Sequence, residues 1–126
     1  MKSKYHFKFE DLNVYQKALD YGEVVNEQVK IFSNYELYAL SSQFRRASDS
    51  IALHIAEGYS GSDAQFVKHI NHAIHSANEY VSCSTKSRRR SYIDFEMDEE
   101  NRRMVSEITK MLSSLRSTIT KRINKN

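Results

Sequence analysis

Apolar residues recur three and four apart along most of this chain, the spacing of one face of an α-helix. The first run is Leu12, Tyr15, Ala18, Leu19, Gly22, Val25, Val29 and Phe32, widened by Val14 and Tyr21. It predicts a helix over 10–32, opened by Glu10 and Asp11, acids that suit the positive end of a helix dipole. Ser33 and Asn34 break the pattern and offer side-chain caps to the next element. A second run, Leu37, Leu40, Phe44, Ala47, Ile51 and Ile55, predicts a helix over 35–57, with Gly58 and Gly61 as glycine stops. Ser62 or Asp63 then caps a third helix over 63–89. Its stripe is Phe66, Ile70, Ala73, Ala77, Tyr80, Val81 and Ser84, with Val67 and Ile74 beside it. The cleanest stripe, Val105, Ile108, Leu112, Leu115, Ile119 and Ile123, predicts a fourth helix over 98–122. It follows the acidic patch DFEMDEE (94–100) and closes on lysines and arginines, as the dipole prefers.

Four amphipathic helices with short joints predict an all-α fold, an up-down four-helix bundle over 10–123. A basic lead-in (1–9) and a short tail (124–126) flank it. Composition agrees. With no proline and three glycines in 126 residues, the chain lacks the turn formers a sheet protein needs. It is long enough to build a core without disulfides, and its one cysteine, Cys83, has no internal partner. There is no span-length apolar run and no apolar leader in MKSKYHFKFEDL, so a cytoplasmic protein with no membrane association is expected.

The stretch SSQFRRASDSIALHIAEG (41–58) carries more polarity than a buried helix needs. At 100° per residue it has three faces. One is the apolar stripe. A second holds the small residues Ser41, Ser48, Ala52 and Ala56, where another helix can approach closely; Arg45 and Asp49 flank it, four apart, as an expected ion pair. The third holds Gln43, Arg46, Ser50, His54 and Glu57, next to the core.

This stretch resembles the signature of the four-helix-bundle family encoded in intervening sequences of bacterial 23S ribosomal RNA genes, also labelled a ribosomal-protein family. The matching residues are Ser42, Gln43, Arg45, Arg46, Ala47, Ser50, Ile51, Ile55, Ala56, Glu57 and Gly58. Phe9, Asp11, Leu12, Val14, Gln16, Lys17 and Ala18 resemble the family's opening helix. Phe66, Ala73, Ser76, Ala77, Asn78 and Glu79 resemble its third. The chain departs from the pattern at Ala52, where the family commonly has proline, and at His54, where it commonly has asparagine. The resemblance implies a homopentamer around a central axis and implies no established chemical activity.

The residues that could carry chemistry are Arg46, His54, Glu57, His69, His72, His75 and Glu79. The histidines at 69, 72 and 75 drift around the helix by about 60° per step and form no single ligand face. The chain has neither Glu-x-x-His nor His-x-x-x-His, so no metal is expected. GYSG (58–61) lacks the lysine and strand context of a phosphate loop. No cofactor and no catalytic residue are expected. Gln43, Arg45, Arg46, His54, Glu57 and Glu79 are expected instead to form a packing or interface network, with an arginine from this chain or a neighbouring copy forking onto a shielded carboxylate. An enzyme would need His54 and Glu57 to converge with His72 or Glu79 in a deep pocket.

Charge adds one more candidate function. The net charge is +3, and the basic residues cluster: Lys86, Arg88, Arg89 and Arg90 near Tyr92, then Arg102, Arg103, Arg116, Lys121 and Arg122 on the fourth helix. In a symmetric assembly these charges would repeat, making RNA or DNA phosphates candidate partners without sequence-specific readout. The alternatives are a basic run that answers DFEMDEE at the end of the third helix, or a structural module whose partner is a protein.

Overall fold

In the computed structural model, which describes residues 2–125, four helices account for most of the chain: α1 (Asn13–Val29), α2 (Leu40–Tyr59), α3 (Asp63–Arg89) and α4 (Phe95–Asn124). Consecutive helices pack side by side, α2 against α1 and α3, and α3 against α4. The α1–α4 contact that closes the ring is lighter. The links at 60–62 and 90–94 are too short to cross the bundle, so successive helices reverse direction. The central layer is Val25, Phe44, Ile51, Ile55, Ile70, Tyr80, Ile108 and Leu112, all at most 1% exposed. Phe44 and Tyr80 meet edge to face with ring centroids 5.3 Å apart. Of the predicted lead-in and tail, Met1 and Asn126 lie outside the described residues.

The ends of the helices differ from the periodicity in instructive ways. α1 starts after a 3-10 turn over Lys8–Asp11, in which Phe9 packs edge-on against Tyr15 at 5.1 Å. It ends at Val29, and Phe32 turns in to stack on Tyr92 at 4.6 Å. α2 starts five residues later than predicted. Residues Asn34–Glu36 form a 3-10 turn capped by the Ser33 hydroxyl, which accepts from the Tyr35 amide. Ala39 (φ −123°, ψ −104°) then stands outside the helical region. The turn aims the Glu36 carboxylate inward, and Leu37, predicted as core, is left exposed. Leu19 and Ile123 are likewise exposed stripe positions, whereas Val14 and Tyr21 are core.

α3 begins with a reciprocal capping box. The Ser62 hydroxyl accepts from the Gln65 amide, and the Gln65 side chain accepts from the Ser62 amide. It ends in a Schellman motif: the Tyr92 amide donates to the Ser87 carbonyl and the Ser91 amide to the Arg88 carbonyl. Ser91 takes the left-handed position (φ 62°) where glycine is usual. Asp94 caps α4 by accepting from the Met97 amide, so the acidic patch forms the first turns of that helix.

Gly58 is not a C-cap. It lies inside α2 with helical φ, buried against α3. A Cβ there would stand 2.7 Å from the His69 Cβ and 2.8 Å from a Phe66 ring carbon, so glycine is required for the close approach of the two helices.

Candidate functional site

Two polar centres stand out once the helices are packed. The first lies where α2 crosses α3 beside Gly58. His54 and Glu57 are one turn apart on α2, and His69 comes from α3. The Nδ1 atoms of His54 and His69 are 3.1 Å apart, and a Glu57 carboxylate oxygen is 3.8 Å from His69 Nδ1. One donor atom from each of the three residues falls within a 4.8 Å set. The His72 ring stacks on His54, centroids 5.1 Å apart, with His75 one step further out. Burial holds the His54 imidazole below its usual pKa, helped by His72 and opposed by Glu57. The site is shallow, since the Glu57 side chain is 62% exposed.

This cluster was legible only in part. His54 and Glu57 do converge, but with His69, and on a half-open surface instead of a deep pocket. Gln43 and Arg45 are half-buried, while Arg46 and Glu79 are exposed. Among the described residues no ion pair within the chain joins Arg45 or Arg46 to Glu57 or Glu79. Nor does the Arg45–Asp49 pair form. Asp49 lies over Gly22, where an added Cβ would stand 2.9 Å from its carboxylate. Burial and the neighbouring Glu23 push its pKa up, with Arg45 opposing.

The second centre ties α1, α3 and α4 together at the end of the bundle that holds the α3–α4 turn. Asp98, fully buried, accepts from the Ser84 hydroxyl at 2.7 Å, from Arg102 Nε at 3.1 Å and from Arg88 at 3.4 Å. Burial works to raise its pKa, yet the bonds from Ser84 and Arg102 outweigh it and hold the carboxyl below its usual range. Asn101, also fully buried, exchanges two amide hydrogen bonds with Gln28 and donates a third to Ser84. Alongside, buried Glu36 accepts from Arg90 at 2.8 Å. The Arg88 guanidinium lies 4.7 Å from the Phe95 ring.

This network takes up much of the basic cluster. Arg88 and Arg102 serve Asp98; Arg90 serves Glu36; Arg103 bridges Glu100 and Glu107; Arg122 pairs with Asp63 at 2.8 Å. Arg116 donates to Asn71. Lys86, Arg89 and Lys121 are exposed and enter no ion pair among the described residues. Asp98 and Asn101 lie in the helix expected over 98–122, but the expected stripe begins at Val105 and leaves both out. The signal was present, because 98, 101, 105, 108 and 112 continue the α4 stripe at three and four.

The surface between α1 and α2 is a third feature. A groove of about 500 Å³ has a floor of Ala18, Ala52 and Ala56, apolar walls from Tyr15, Leu19 and Leu53, and Glu23 and Asp49 at its rim. Among the described residues, no helix is long and apolar enough to cross a membrane.

Comparison with known proteins places this architecture. None of the curated proteins matches the chain. A solved structure of a protein of unknown function from the S23 ribosomal protein family of Bacteroides thetaiotaomicron is similar. It has a TM-score of 0.76 and 28% identity, over 82% of this chain and 95% of that one. The family model described as 23S rRNA-intervening sequence protein matches residues 10–114, the span that holds all of α1, α2 and α3 and most of α4, and the chain belongs to that family.

Proposed function

We propose that this protein is a non-catalytic, self-assembling scaffold, and that the groove between α1 and α2 is one side of the contact between copies. The observation that carries this reading is the groove itself. Its floor of alanines admits close approach of another helix, and its lips, Leu19 and Leu53, are 42% and 60% exposed in the single chain. Apolar walls left open to water gain free energy when covered, about 25 cal/mol per Å². Asp49 and Glu23 at the rim would meet a cation of the neighbouring copy; the exposed Arg46 is the candidate. Ile31, Tyr35 and Tyr38, each at least 75% exposed around the α1–α2 link, offer a further apolar patch. The resemblance of the 41–58 signature to its family supports five copies around an axis.

The test is Leu53→Asp, alone and with Leu19→Asp. Both positions are exposed, so the bundle should keep its helical circular dichroism while sedimentation velocity shows a smaller species than the wild type. Unchanged sedimentation of the double variant would remove the groove from the interface.

A second reading is favoured by three exposed cations. Lys86, Arg89 and Lys121, free of ion pairs among the described residues, are the part of the basic cluster open to RNA or DNA phosphates. Binding through them would weaken steeply as salt rises. Triple replacement by alanine should abolish it, and no binding to RNA or DNA at low salt would end this reading.

A further inference from the structure

The geometry points to a site for a divalent transition metal of the zinc class at the α2–α3 crossing, with His54, His69 and Glu57 as its protein ligands. Zinc takes imidazole nitrogens and carboxylate oxygens at about 2.0–2.2 Å in a tetrahedron, so its ligand atoms stand about 3.3 Å from one another. The 3.1 Å between His54 Nδ1 and His69 Nδ1 is already one edge of such a tetrahedron. The Glu57 oxygen, 3.8 Å from His69 Nδ1, needs to move by about 0.5 Å to reach the length of a second edge. It is free to do so, because that side chain is largely in solvent while the two imidazoles are half-buried.

Without metal, two facing Nδ1 atoms share one proton, the first donating and the second accepting. With metal, both Nδ1 lone pairs bind the ion and the protons sit on Nε2. His72 stacks on His54 and limits its rotation, the role of a positioning residue. The absent Cβ of Gly58 lets His69 come this near to α2. Three protein ligands leave the fourth position to water.

The ligands come as two residues one turn apart on one helix and one from its neighbour, an arrangement that patterns along a single helix do not reveal.

The experiment is a Zn²⁺ titration of the tag-free full chain by calorimetry, with Co²⁺ absorption as the reporter of tetrahedral geometry. The expected result is one ion per chain and visible bands of tetrahedral Co²⁺. His69→Gln and His54→Asn should each weaken binding by more than the roughly 10–100-fold that loss of an outer partner costs. Glu57→Gln, on an exposed side chain that the fold does not need, provides the same test if a histidine variant fails to fold. His75→Gln, outside the ligand set, should bind as the wild type does. No uptake by the wild type, or equal uptake by the wild type and the folded ligand variants, overturns the site. So does loss of uptake in His75→Gln alone.

Discussion

Replacing Asp98 by alanine should destabilise this bundle far more than replacing any surface acid. The carboxylate is fully buried and accepts from Ser84 at 2.7 Å, Arg102 at 3.1 Å and Arg88 at 3.4 Å. A hydrogen bond to a charged group contributes about 1.5–3 kcal/mol, and a buried polar group left without its partner costs about 1–3 kcal/mol. The arginine side chains are 42% and 47% exposed and return to water, so most of their share is recovered. Ser84 cannot do so, being fully buried. The net loss is about 2–4 kcal/mol, which for a chain of this length lowers Tm by roughly 8–15 °C. Glu100→Ala is the control. It breaks a pair with Arg103 in which both side chains are about half exposed, and water screens such a pair to little net stabilisation. The assay is thermal melting by circular dichroism at fixed protein concentration, at neutral pH and in acid. Because the folded-state pKa of Asp98 lies below its ordinary 3.8, its ionic contribution is fully present above 3.8. It is lost as pH falls through the lower folded value. The gap between wild type and Asp98→Ala should therefore hold from neutral pH to about pH 5 and narrow below 3.8. Equal effects of Asp98→Ala and Glu100→Ala, or a gap that widens in acid, would refute the reasoning.

Three further outcomes follow from the helix ends and the core. Ser91→Gly should raise Tm by about 3–5 °C, since it relieves a left-handed residue at a cost of about 1 kcal/mol; a lower Tm would show that the serine side chain compensates. Gly58→Ala should lower stability by about 1–3 kcal/mol in denaturant titration despite the better helix propensity of alanine, because its Cβ meets His69 and Phe66; stabilisation would mean that the helices separate freely. Cys83, buried in the core with its thiol pushed up to about 11, should react with a thiol reagent only at the rate of unfolding, and fast labelling of the native protein would contradict its placement.

How far the fold could be read from the chain depended on where polar residues sit. Four apolar stripes at helical spacing locate all four helices, because burying each stripe needs a partner layer. The exceptions have local causes. The start of α2 was misplaced because Glu36 is turned inward to Arg90, a contact 54 positions away that no local pattern reports. Gly58 was read as a stop, but its role is to give His69 space. Asp98 and Asn101 were left out of the α4 stripe because it was traced through apolar residues alone, although the same spacing runs through both. The arginines read as a phosphate surface mostly answer buried or neighbouring acids, which explains a basic run beside an acidic one. The histidine cluster was legible only in part, because His54 and His69 are 15 positions apart and meet only through packing. The groove between α1 and α2 was foreshadowed by the small residues Ala52 and Ala56, whose alternation with Leu53 sets floor and lip.

The claim that this chain works as an assembly of copies is tested most directly by sedimentation equilibrium of the wild-type protein at micromolar concentration. A single species of five times the 14.7 kDa chain mass is expected. A monomer across that concentration range would contradict it.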